Sequence, residues 1–212
     1  MSFPAPRGHH GVNDSSIPLD LGPAADGVAG LLDGVPEERF GARTPCPDYR
    51  VDDLLRHLLG LTLAFRAAAR KEFGPLTDVS PTDPAMPAPS LEGDWRGRLR
   101  RQLDELAAAW REPAAWRGDT RAGGVGLPAE VMGRVALNEL LLHGWDLARA
   151  TGQPYGADDA TAAASIALLS QETDPAARAG TGFGPPVPIA DDAPPLDRAV
   201  ALSGRDPGWA AA

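Results

Sequence analysis

Four stretches of this chain carry apolar residues at helical spacing, and stripes of that kind fold stably only when buried against one another. In the longest of the first three, from Val51 to Phe73, the stripe is Leu54, Leu58, Leu61, Phe65 and Ala68, at steps of 4, 3, 4 and 3. A helix before it spans Pro23 to Val35, with Ala24, Val28, Leu31, Leu32 and Val35 on one face. The third spans Asp94 to Glu112, with Trp95, Leu99, Leu103, Leu106 and Trp110 facing one way, Asp94 as N-cap and Pro113 as stop. The fourth opens at Pro128, a residue suited to a first helical turn, and closes near Thr151, before Gly152. Shorter helices are expected from Asp159 to Gln171 and from Leu196 to Leu202. No β-branched alternating run of strand length stands out. The expected fold is therefore all-α, a four-helix bundle with a short helical, Pro-rich C-terminal extension.

The 24 glycines and 22 prolines disfavour helix interiors, and most belong to tails and connections. Residues 1–19 read as a disordered tail holding an incidental His9–His10 pair, residues 20–152 as the bundle, and residues 153–212 as the extension packing on it. Residues 74–92 read as a long loop. The run Ala122-Gly123-Gly124-Val125-Gly126 reads as a flexible connector, since it lacks the Lys-Ser/Thr ending of a phosphate loop.

A net charge of −9 with no basic tract argues against nucleic acid and against an anionic membrane surface. No apolar run has the length of a membrane span, and the first residues lack the apolar core of a signal peptide. A single cysteine, Cys46, excludes an internal disulfide. The absent span, the absent signal core and the single cysteine give the expectation of a cytoplasmic protein, and a small-molecule substrate and a monomeric or homodimeric state are expected with it.

The chemistry concentrates on the fourth helix. Met132, Val135, Glu139, His143, Asp146 and Ala150 fall on one side at steps of 3 and 4, so three ionisable groups lie on or beside a stripe that enters the core. A buried carboxylate needs a partner or a metal. Glu139 and His143 are one turn apart, and His57 lies at the edge of the second helix's stripe. Two imidazoles and a carboxylate suit zinc or a neighbouring divalent ion and leave a coordination position open. Spacing alone leaves two readings: a metal triad, or a Glu139–His143 ion pair with an unrelated, satisfied His57.

The stretch from Asn138 to Gly152, Asn-Glu-Leu-Leu-Leu-His-Gly-Trp-Asp-Leu-Ala-Arg-Ala-Thr-Gly, resembles the hallmark of the mycothiol-dependent maleylpyruvate isomerase-like metal-binding proteins, of the DinB-like four-helix-bundle superfamily. Thr44-Pro45-Cys46-Pro47-Asp48-Tyr49, with the run from Val51 to Leu58, is similar to the same family's second-helix motif. Phe183 to Pro188, Asp191 to Arg198 and Gly204-Arg205-Asp206-Pro207 resemble one branch of it. The resemblance implies a divalent metal, zinc or else nickel or another ion, held by His57, Glu139 and His143. It also implies mycothiol as a thiol cosubstrate and an isomerase or S-transferase in which the activated thiol attacks a small electrophile. Two alternatives stay open: a pathway-specific hydrolase, cyclase or isomerase that uses no thiol, and a metal-binding protein without turnover.

Asp146, one turn past His143, reads as a catalytic candidate: an acceptor behind the histidine or a general base. Asp53 is a candidate to orient His57, and Arg56, Arg66 and Arg149 are candidates for a substrate carboxylate. Cys46 reads as a small buried apolar side chain rather than a ligand, and Trp145 as core.

Overall fold

The computed structural model describes residues 19–80, 83, 87–171, 173–178 and 183–211. The expected tail, with His9 and His10, lies outside the described residues except for Leu19, which is partly buried against the core.

Eight α-helices are formed among the described residues: α1 Gly22–Leu31, α2 Val51–Arg70, α3 Pro75–Asp78, α4 Trp95–Arg111, α5 Ala129–Thr151, α6 Asp159–Leu169, α7 Pro175–Arg178 and α8 Pro195–Leu202. The local signals in the sequence set most boundaries. Asp94 caps α4 by accepting the Gly97 N–H at 2.9 Å, and Asp158 caps α6 through the Thr161 N–H at 2.8 Å. Gly152 ends α5 in the left-handed region at φ 71°. Helix α2 stops at Arg70, before the expected Phe73, because Lys71 turns left-handed at φ 58° and the next N–H groups return to the Ala67 and Ala68 carbonyls.

Helices α1, α2, α4 and α5 pack in a closed ring, α1 and α2 each touching both α4 and α5. The expected stripes of α1, α2 and α4 face inward, and Trp110 bridges two of the helices by donating its indole N–H to the Phe65 carbonyl at 3.1 Å. Helix α5 differs from the others. Residues 140–148 of it are buried all round, as a helix is when neighbours cover both of its sides. Its outer side carries Leu142 and Trp145, which pack with Leu169 of α6 and Val200 of α8 in a second, smaller core; partly buried Phe183 and Trp209 border it.

Two connections differ from expectation. The glycine-rich run is a β-hairpin, β1 Asp119–Ala122 antiparallel to β2 Val125–Pro128, with Gly123 and Gly124 at φ 58° and 80° forming the tight turn. It is anchored by Thr120, whose hydroxyl donates to the Ala68 carbonyl at 2.6 Å. The long loop before α4 contains the single turn α3, tied to that hairpin by the Gly124 N–H on the Thr77 carbonyl at 2.9 Å.

The arm from Phe183 crosses the segment after α8 at closest range where Gly184 meets Gly204. A side chain on Gly204, at φ +87°, would lie 2.5 Å from the Gly184 Cα. Buried Arg178 secures the crossing by donating to the Gly184, Leu202 and Leu169 carbonyls.

Candidate metal centre

Helix periodicity brings Glu139 and His143 to one side of α5, and the contact of α2 with α5 brings His57 opposite them. The His57 Nε2 lies 3.3 Å from a Glu139 oxygen and the His143 Nε2 lies 3.2 Å from the same atom. The three donor atoms lie within 4.8 Å of one another. The two rings meet edge to face, 4.9 Å between centroids. Two donors sharing one ion at about 2.1 Å in tetrahedral array stand about 3.4 Å apart, so the Glu139 contacts have the length of a coordination edge. Two imidazole nitrogens and a carboxylate oxygen are also the donor types zinc and its neighbours take. The residues present therefore fit a divalent ion.

Each histidine is held from behind, and differently. Asp146, with no exposed surface, accepts from the His143 Nδ1 at 2.9 Å. The same carboxylate receives two bonds from Arg205, Nε to Oδ1 at 2.8 Å and Nη2 to Oδ2 at 2.9 Å. A guanidinium from beyond α8 thus braces a helix residue 59 positions earlier. On the other side, the Tyr49 hydroxyl stands 3.3 Å from the His57 Nδ1, its ring 4.9 Å from the imidazole. Tyr49 gets there because the loop before α2 is closed on itself. Arg43 and Arg50 form an isolated backbone bridge, and the Thr44 hydroxyl bonds the Cys46 and Tyr49 carbonyls.

Burial dominates the electrostatics and is answered by pairing. It opposes the Glu139 charge, but bonds from His143 and His57 outweigh it and hold the carboxyl far below its usual range. It opposes a charge on His143 as well, yet Asp146 and Glu139 raise that imidazole to about 9. Asp146 is likewise held ionised against its burial, chiefly by the Arg205 charge. Burial pushes the Tyr49 phenol up to about 12 and raises the Cys46 thiol.

The triad opens on a cavity of about 130 Å³, lined also by Cys46, Asp48, Tyr49, Leu142, Phe183 and Arg205. Cys46 is buried in its wall, outside the cluster of converging donors. Asp146 stands behind the wall, both oxygens engaged. The other candidates are occupied elsewhere. Asp53 accepts the Arg50 N–H at 3.1 Å, capping α2 rather than orienting His57. Arg56 donates to the Pro89 carbonyl, Arg66 pairs with Glu105, and Arg149 donates to the Pro207 carbonyl. Sequence reasoning missed Arg205 and Tyr49, although both lie inside the motifs that carried the resemblance.

These features define a helical protein with a two-histidine, one-carboxylate pocket. Residues 21–148 match the mycothiol maleylpyruvate isomerase N-terminal domain family, and the chain belongs to that family. It is similar to the uncharacterized proteins MT0763 and Rv0738 of two strains of Mycobacterium tuberculosis, each 28% identical over 194 residues, covering 86% of this chain and 93% of the relative. No solved structure matches it at a significant level. No helix among the described residues is long and apolar enough to cross a membrane.

Proposed function

We propose that the ring of α1, α2, α4 and α5 is a DinB-like four-helix bundle that serves as a divalent-metal-dependent enzyme of the mycothiol-dependent isomerase or S-transferase type. His57, Glu139 and His143 hold the ion, with zinc the best match to the donors. Bound there, such an ion lowers the pKa of a neighbouring thiol and so supplies a nucleophile at neutral pH for attack on a small electrophile. The observation that carries this reading is the convergence of three donors on one cavity wall, with each imidazole's far nitrogen fixed by a separate group.

The chain's own residues divide the work. Glu139 supplies the negative charge between the two imidazoles. Asp146 accepts the His143 Nδ1–H, which leaves the Nε2 lone pair directed at the site. With both oxygens engaged and no exposed surface, Asp146 acts on the histidine and not on substrate. Arg205 keeps that carboxylate charged. Leu142 and Phe183 supply apolar wall to the cavity.

One observation favours a second reading, in which water replaces the thiol. A cavity of about 130 Å³ is smaller than the usual ligand pocket of roughly 300–1,000 Å³ and admits only the tip of a thiol cofactor. The test is elemental analysis of wild-type, His57→Ala and His143→Ala protein, followed by addition of mycothiol to the cobalt-substituted wild type. We expect about one ion per wild-type chain, its loss in both variants, and a thiolate-to-cobalt absorption band. Full occupancy in either variant overturns the triad. A metal-loaded protein with no such band points to water.

A further inference from the structure

Tyr49 holds His57 from behind, and hydrogen bookkeeping at His57 gives it a second role. The His57 Nε2 is the atom that faces Glu139 and converges with the other donors. A neutral imidazole that offers the lone pair of one nitrogen carries its proton on the other. The proton of a metal-holding His57 is therefore on Nδ1, and Nδ1 faces the Tyr49 hydroxyl at 3.3 Å. Nδ1–H donates there, and the tyrosine oxygen accepts. The tyrosine keeps its own O–H, which now has to point away from the imidazole. Among the described residues that hydroxyl has no other hydrogen-bond partner, while its side chain lines the cavity beside His57, Glu139 and His143.

We infer that Tyr49 is a catalytic residue, whose hydroxyl donates into the cavity to an oxygen of the electrophile. The inference rests on the metal reading above and takes the electrophile to be a carbonyl compound or its conjugated equivalent. As the nucleophile's electron pair forms the new bond to carbon, the π pair shifts to the oxygen, and the Tyr49 O–H stabilises the charge that develops there. Tyr49 keeps its proton throughout. Such a donor works best where it is fixed in advance, and here it is fixed twice, by His57 on the hydroxyl and by the Thr44-braced loop on the backbone.

Three measurements on zinc-loaded protein test this, with acetate as an oxygen-bearing probe small enough for the cavity. Nitrogen-15 spectra of wild-type imidazoles should show His57 protonated on Nδ1. Tyr49→Phe should still take up about one zinc per chain, with an affinity lowered by the loss of the acceptor behind the His57 Nδ1–H, so the two proteins are compared at full zinc occupancy. The same variant should bind acetate at least about tenfold more weakly, the lower end of what a hydrogen bond to a charged group is worth. Equal acetate affinity in the two zinc-filled proteins overturns the assignment of Tyr49, and a His57 protonated on Nε2 overturns the metal reading beneath it. Wild-type protein that takes up no zinc overturns the reading beneath it, a result distinguishable because it precedes any addition of acetate.

Discussion

Replacing Arg205 by methionine removes the guanidinium that faces Asp146 and leaves the carboxylate with one of its three charge-assisted bonds, the one from His143. Asp146 has no exposed surface, so water does not step in. Removing one partner of a buried pair costs about 3–5 kcal/mol. His143 still answers part of the charge, which places the cost near the lower end, about 3 kcal/mol. For a chain of this size each kcal/mol moves the melting temperature by roughly 2–4 °C, so a fall of about 6–12 °C is expected in metal-free protein. Under the proposed function the brace behind the zinc-holding His143 is lost at the same time, and zinc binding should weaken by about 10–100-fold. Differential scanning calorimetry and competition with a chromogenic chelator read the two effects. The double variant Arg205→Met, Asp146→Leu separates them. Exchanging the pair for apolar groups should restore most of the stability and none of the zinc affinity. A single variant that melts within about 2 °C of wild type with unchanged chelator competition would refute the reasoning.

Two further outcomes are expected. Glu139→Gln keeps the size of the side chain but not the charge between the imidazoles, so titration should show much weaker zinc binding with the helical circular dichroism unchanged; retained affinity would leave Glu139 as an acid–base group only. In metal-free protein His143 titrates at about 9 against an ordinary 6.5, so its contribution to stability is complete below about pH 6.5 and is lost as pH rises through about 9. Zinc needs the lone pair which that proton occupies. Near pH 7 its uptake should therefore release a proton from His143, seen as a buffer-dependent heat in calorimetry, and zinc affinity should rise with pH.

The stripes of α1, α2 and α4 were legible because a buried face repeats at helical spacing, and Glu139 and His143 because one turn joins them. His57 was legible only as an edge histidine until the family motif paired it with α5. What stayed hidden was non-local or too short to show a period. The hairpin has strands of only four residues around a glycine turn, and its anchor is a hydroxyl from Thr120 on a helix carbonyl. Arg205 was visible in a tail motif, but nothing local says that a guanidinium 59 positions on will meet Asp146. Asp53 misled for the converse reason. Its spacing to His57 suited an orienting carboxylate, while the unsatisfied N–H at the start of α2 claimed it first.

The crossing of Gly184 with Gly204 can close only late in synthesis. Every residue of the triad and all four ring helices are made before the ribosome reaches position 204. During that interval the nascent bundle carries Asp146 without its cation. The crossing then delivers two parts of the pocket together, Phe183 to its wall and Arg205 to its buried carboxylate. A nascent chain halted short of the crossing would hold every donor atom of the proposed centre and still lack the clamp on the carboxylate behind one of them.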